Sequence, residues 1–216
     1  MKRLVAALAL TSVGFGTTAV AETIKVGIAN DSSGPFSAVG AEIRDGFNLA
    51  IKMLDGKLGG QPAEFIQQDM AGNPDQARQL VNRYIQRDKI DFFTGPVGSN
   101  VALAVGPALF KAEVPFLTAN PGPSQFAGKQ CNDYFFGVSY QNDAFHEAAG
   151  KVAADRNYDK VFILGPDYPA GKDALTGFKR GYGKKPRQEI YTNLGQIEYA
   201  AELAQIRADK PEAVYF

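Results

Sequence analysis

Cysteine and histidine are almost missing from this sequence: Cys131 and His146 are the only ones in 216 residues. One of each cannot supply the ligands of a zinc site, which excludes a metal centre built on thiolate and imidazole. An excess of either charge is missing too. Lys and Arg number 23, Asp and Glu 23, and the signs are interspersed, so nothing draws the chain onto nucleic acid or an anionic membrane. No apolar run approaches the roughly 20 residues that span a bilayer. Catalytic signatures are absent as well. At the five Gly-Lys pairs, the residue five before the glycine is Ile51, Pro123, Phe145, Pro166 or Phe178, never the Gly of a phosphate loop. No G-x-G-x-x-G follows the first strand pattern, and no G-x-S-x-G occurs. His146-Glu147 lacks the second histidine of H-E-x-x-H and reads as ordinary helix surface. Asp31 and Asp69, each at a strand end, have no base, metal or nucleophile to join and read as loop and cap residues. These absences point away from an enzyme and from any cofactor.

What is present begins with a leader. Lys2 and Arg3 precede an apolar run at 4–10, and a Ser/Thr/Gly segment ends in Ala19-Val20-Ala21 before Glu22. A positive start, a short apolar run and an A-x-A site make a secretory signal over 1–21, cleaved near Ala21. The expected location is the periplasm. In that compartment the lone Cys131 is either a buried thiol or the partner of a cysteine outside this chain.

Beyond the leader, strand and helix patterns alternate with short connections. Residues 23–29 alternate Ile24, Val26 and Ile28, and 38–54 is helical with Ile43, Phe47, Ala50 and Leu54 on one face. Residues 63–69 form a strand, and Asn73-Pro74 opens a helix whose Ala77, Leu80, Val81, Tyr84 and Ile85 fit the i, i+3, i+4, i+7, i+8 template. Later come an aromatic extended run at 134–140 and a helix at 142–156 with Phe145, Ala148, Ala149 and Val152 inward. A strand at 161–164, a helix holding Ala174, Leu175 and Phe178, a strand at 189–192, a helix at 198–208 and a strand from Ala213 complete the pattern. This predicts an α/β fold: a Rossmann-like parallel sheet with helices on both faces, plus a second α/β lobe. The run at 134–140 crosses between the two, giving lobes over 22–139 and 140–216. The apolar end, Ala-Val-Tyr-Phe, has nothing after it to cover it, and the expectation is a truncated second lobe.

The stretch 90–124 organises the rest. It reads as strand, glycine loop, apolar helix, strand and proline-rich loop, with Val101, Val105 and Leu109 recurring every fourth position. Both loops leave the carboxyl ends of strands, where such sheets bind ligands. Ser99 or Asn100 is positioned to cap the helix, and N–H groups at Gly98, Ser99 and Asn100 suit a small carboxylate. Read without that ligand, Ser99 is only an N-cap and Asn120-Pro121-Gly122-Pro123 only a rigid turn.

Several segments resemble the type I periplasmic solute-binding proteins, specifically the leucine/isoleucine/valine-binding family of ABC importers. They are I-K-V-G-I-A with S-G-P-F-S-A-V-G, A-I-K-M-L-D-G-K-L-G-G, D-M-A-G-N-P-D-Q-A, G-P-V-G-S, V-P-F-L-T and D-Y-P-A-G. The resemblance implies that Ser99, with Gly98 before it, receives a ligand carboxylate, and that the loop from Asn120 to Gly122 adds main-chain contacts. It implies that Tyr168 closes over the ligand from the second lobe, and that Phe36 and Val39 form an apolar wall. The hinge falls at Val138, Ser139 and Tyr140. Gly122 stands where the family has a threonine, losing a hydroxyl but keeping its N–H, and Val39 stands where amino-acid binders have a tyrosine. The loop bearing Tyr168 also differs in length, and the family's acidic partner for an ammonium group lies past Phe216. The implied partners are a small carboxylate (branched-chain amino acid, aryl acid or related acid) and an ABC permease, the protein itself being a monomer. Alternatives are a ligand-sensing receptor module of the same fold, or a Rossmann-like enzyme whose catalytic half lies elsewhere. For the chain as it stands, the expectation is weak or no ligand affinity.

Overall fold

A computed structural model of the chain describes residues 22–216; the signal sequence expected at 1–21 lies outside them. The first strand, β1 (Ile24–Asn30), is the axis of a six-stranded sheet. It is followed by α1 (Ser37–Met53), β2 (Lys57–Leu58), β3 (Gln61–Asp69), α2 (Pro74–Arg83), β4 (Phe92–Thr94), α3 (Ser99–Lys111), β5 (Phe116–Thr118) and β6 (Phe135–Gly137). The spatial order is β2-β3-β1-β4-β5-β6. All pairs are parallel except β2 with β3, a two-residue antiparallel hairpin that the sequence pattern did not signal. β6 lies beside β5 in register Phe116–Phe135 to Thr118–Gly137. The aromatic run is therefore the edge strand of this sheet before it is a crossing.

Side-chain alternation puts the core on one face. Ala29, Phe93 and Phe116 point toward α2 and α3, meeting Leu80, Val81, Val101, Val105 and Leu109, all buried. Phe93, Phe116, Phe135 and Phe126 continue this core in tilted and edge-on contacts with centroids 4.6–5.6 Å apart. The start of α2 is as expected: the Asn73 side chain accepts from the N–H groups of Asp75 and Gln76, with Pro74 first in the helix. On the opposite face α1 lies over Val26 and Ile28. Its apolar stripe is only loosely covered, Leu54 remaining 46% exposed.

The second sheet holds β7 (Val161–Pro166), β8 (Gln188–Thr192) and β9 (Ala213–Tyr215) in the order β8-β7-β9, all parallel. Here α4 (Asn142–Asp155) and α5 (Pro169–Tyr182) cover one face and α6 (Ala200–Asp209) lines the other. The inward side of α4 differs from expectation. Phe145 and Val152 are half-exposed, while Asn142, Asp143, Gly150 and Ala153 are buried. The cause is backbone proximity: Cβ atoms on Gly150, Gly177 and Gly181 would lie 1.9–2.1 Å from carbonyl oxygens of the facing helix. The two helices therefore meet along their glycines, and the larger apolar groups turn away.

Candidate functional site at the seam of the two sheets

In the first sheet β1 has β3 on one side and β4 on the other, so the chain order reverses there and a crevice opens past the strand ends. Asp31 ties the loops around it. It is fully buried; its Oδ1 accepts from the Gly72 N–H at 2.8 Å and its Oδ2 from the Val97 N–H at 2.8 Å. Burial pushes its carboxyl above the usual value of 3.8, more than the N–H groups of Val97, Gly72 and Gly98 pull it down. Asp69 does the same job locally, accepting from Ala71 N–H at 3.0 Å. Both aspartates thus hold loops.

Gly98 is the N-cap of α3 and makes no side-chain cap; Ser99 is the first helical residue rather than the cap. The N–H groups of Val101 and Ala102 bond to Gly98 O, and that of Gly98 faces Asp31. Of the three amides expected to meet a ligand, those of Ser99 and Asn100 remain. Gly98 also sits under Phe36, whose Cε2 would lie 2.6 Å from a Cβ there. Only glycine lets that ring approach the backbone so closely.

Ser99 is 2% exposed, and its hydroxyl accepts from Asn142 Nδ2 at 3.0 Å. Asn142 opens α4, so Ser99 lies at the seam between the two sheets. Asn120 donates through Nδ2 to Val97 O at 3.0 Å and braces the loop before α3. Gly122 and Asn142 exchange two bonds: Asn142 N–H donates to Gly122 O at 2.8 Å, and Gly122 N–H to Asn142 Oδ1 at 3.3 Å. The Gly122 amide expected for a ligand is thereby engaged by Asn142 through a long bond. A Cβ at Gly122 would stand 1.7 Å from Tyr140 O, so this backbone has no room for a threonine side chain.

From the second sheet, Tyr168 reaches over to Phe36 with ring centroids 5.9 Å apart. Burial holds its phenol above the usual 10.0, with the charges of Tyr140 and Asp173 adding to the rise, so it stays a neutral donor. Tyr168, Tyr140 and Asn142 line a cavity of about 230 Å³ with His146, Pro166 and Phe216. That is below the ~300–1,000 Å³ of drug-sized sites, and its lining comes from the second unit, without Ser99, Phe36 or Gly122. Larger hollows, of about 650 Å³ under α6 and 550 Å³ under α1, run along apolar sheet faces away from these loops. Val39 is 42% exposed one turn into α1 and presents its side chain to solvent rather than to a packed wall. Val138, Ser139 and Tyr140 are exposed where the chain leaves β6, and Val138 N–H donates to Thr118 O at 3.1 Å. His146 is not ordinary surface: it is half-buried, tilted against the Phe145 ring and bonded to the Tyr215 hydroxyl. The sequence reading missed Asn142, Asp173 and Ser124, three polar residues in unremarkable local contexts.

Two open parallel α/β units joined at such a seam have the architecture of the type I periplasmic binding fold. A family profile described as periplasmic binding protein matches residues 23–216, and the chain belongs to that family. A Leu/Ile/Val-binding protein homolog from Brucella abortus is 27% identical over 220 residues, covering 100% of this chain and 56% of the relative. Among solved structures, a Rhodopseudomonas palustris ABC-transporter solute-binding protein in complex with benzoate superimposes with a TM-score of 0.83 at 27% identity, covering 90% of this chain and 55% of that one. Another, from strain BisB5 with 3,4-dihydroxybenzoic acid, gives 0.81 at 29% identity over 89% and 53%. An isoleucine-bound branched-chain amino-acid binding protein from Streptococcus pneumoniae shares the fold, with 0.78 at 21% identity over 89% and 56%. The chain spans about half the length of the relatives it matches.

Proposed function

We propose that this chain is part of an extracytoplasmic solute-binding protein that presents a small carboxylate to an ABC permease. The observation that carries the reading is the buried Ser99 hydroxyl at the start of α3, set at the seam beside the free Ser99 and Asn100 amides. A carboxylate there meets oriented donors and a helix N-terminus, and needs no basic side chain. Phe36 and Tyr168, one from each unit, supply an aromatic flank. That flank favours an aryl acid over an aliphatic amino acid, in keeping with the benzoates in the two R. palustris neighbours. The ligand docks on the Ser99, Asn120 and Gly122 loops; the unit bearing Tyr168 closes on it by bending at Val138, Ser139 and Tyr140; no bond in the ligand changes. The protein works as a monomer in the periplasm.

Because the chain covers about half its relatives, the test must read weak binding. Saturation-transfer NMR with benzoate, 4-hydroxybenzoate and isoleucine is suited to this. The expected result is transfer to the two aryl acids that persists but needs higher acid concentrations in Ser99→Ala, a weakening of about 1.5–3 kcal/mol for a hydrogen bond to a charged group. Transfer unchanged by S99A would move the acid elsewhere, and conversion of any of the acids during incubation would bring back the enzyme.

A further inference from the structure

We propose that Asn142 is a positioning residue: its carboxamide, held by Asp173, fixes the Ser99 hydroxyl so that its proton is left for an incoming acid. This rests on the reading that Ser99 receives the ligand carboxylate. Asn142 is 4% exposed and every polar atom of its side chain is engaged. Oδ1 accepts from Gly122 N–H at 3.3 Å, while Nδ2 gives one hydrogen to Ser99 Oγ at 3.0 Å and the other to Asp173 Oδ2 at 3.1 Å. Turning the amide over would set its oxygen against the Asp173 carboxylate and its NH₂ against a backbone N–H. The surroundings therefore permit one orientation.

That orientation dictates the state of Ser99. Nδ2 can only donate, so Ser99 Oγ accepts, and its own proton must point elsewhere. Among the described residues no protein acceptor takes that proton, and Ser99 is 2% exposed. A buried O–H without an acceptor is costly, and a carboxylate oxygen relieves it. Asp173 is in turn anchored by Ser124, whose N–H donates to Oδ2 at 3.0 Å and whose hydroxyl donates to Oδ1 at 2.6 Å. Ser99, at the start of α3, and Ser124, in the loop after β5, belong to the first unit, Asn142 and Asp173 to α4 and α5 of the second. The unit that faces the ligand from the far side thus sets the donor on the near side.

The experiment uses residues 22–216 labelled with ¹⁵N. Without ligand, Ser99→Ala should shift one of the two Asn142 carboxamide protons and speed its exchange, leaving the other unchanged; no change in either overturns the proposal. With benzoate, followed by saturation transfer, Asn142→Ala should weaken binding about tenfold and should do nothing further in the S99A background. The near-isosteric Asn142→Asp, which keeps the packing but accepts the Ser99 proton, should weaken it more. Equal weakening by N142A with and without Ser99, or tighter binding, overturns the positioning role while leaving the acid-binding reading intact. Wild-type protein that gives no transfer with any of the acids overturns that reading, and the inference with it.

Discussion

Asp31 shows at the residue scale how a charge can serve as a structural tie. Two buried N–H groups on separate loops end on its two oxygens. Asp31→Ala leaves both without an acceptor, and at about 1–3 kcal/mol for each orphaned donor urea unfolding should show a loss of roughly 2–6 kcal/mol. The pH dependence has a definite sign. The native carboxyl titrates above the usual 3.8, so below 3.8 its contribution is fully present, and it falls away as pH rises through the native value. The advantage of wild type over D31A should therefore widen on acidification from neutral pH toward 3.8; a constant difference would mean that the carboxyl is not raised. The sequence placed Asp31 at a strand end and gave it a loop role, because a strand pattern followed by Asn-Asp-Ser-Ser-Gly-Pro has few other meanings. Asn142 was illegible for the opposite reason. Nothing near Gln141-Asn142-Asp143 distinguishes an exposed helix start from a buried one, and its partners lie 20 to 43 positions away.

Among the elements, α2 and α4 mark the two extremes of legibility. For α2 the cap, the proline and the apolar period all agree, and the buried residues are those the period selects. For α4 the period selected Phe145 and Val152, yet the packed face follows Gly150 because α5 approaches to backbone contact. Hydrophobicity cannot signal a contact made by absent side chains. Gly177→Ala would put a Cβ 2.1 Å from Asp143 O, which forces the helices apart. It should lower the Tm of the second unit by several degrees in calorimetry, whereas Gly46→Ala, with nothing within 4 Å of the new Cβ, should be neutral or slightly stabilising. The same helix pair is clamped by Arg180, which bonds Asp143 and Glu147. Burial pushes the Asp143 carboxyl up, but the bonds from Arg180 and Gln141 outweigh it and hold it below 3.8. A depressed native value gives stability that is present above 3.8 and lost as pH falls through the native value. The effect of Arg180→Ala on Tm should accordingly shrink in strong acid; one that persists unchanged would mean that Arg180 acts through packing.

At the scale of the whole molecule, both sheets have one well-filled face and one groove lined by apolar side chains. Such grooves should bind a hydrophobic dye in the native state, and dye fluorescence that stays at the buffer level would show that they are closed in solution. Alternation of strands and helices was enough to give the parallel sheets, since each short connection leaves one right-handed way back. The hairpin of β2 with β3 escaped because two residues show no period. The seam also escaped, being made of single polar contacts between distant segments.

The glycine contacts between α4 and α5 repeat at a spacing of four: Gly177 rests on the carbonyl of Asp143 and Gly181 on that of Glu147. Sliding α5 by one turn so that Gly177 met Glu147 would drive the side chain of Asp173 into the place on Asp143 that has room only for a hydrogen. The other direction carries Gly181 to Asp143 and runs past the end of α5 at Tyr182. The pair consequently has a single setting, and it aims Asp173 at Ser124 and Asn142. Glycines far from any ligand thus act as the gauge marks by which one serine hydroxyl is aligned.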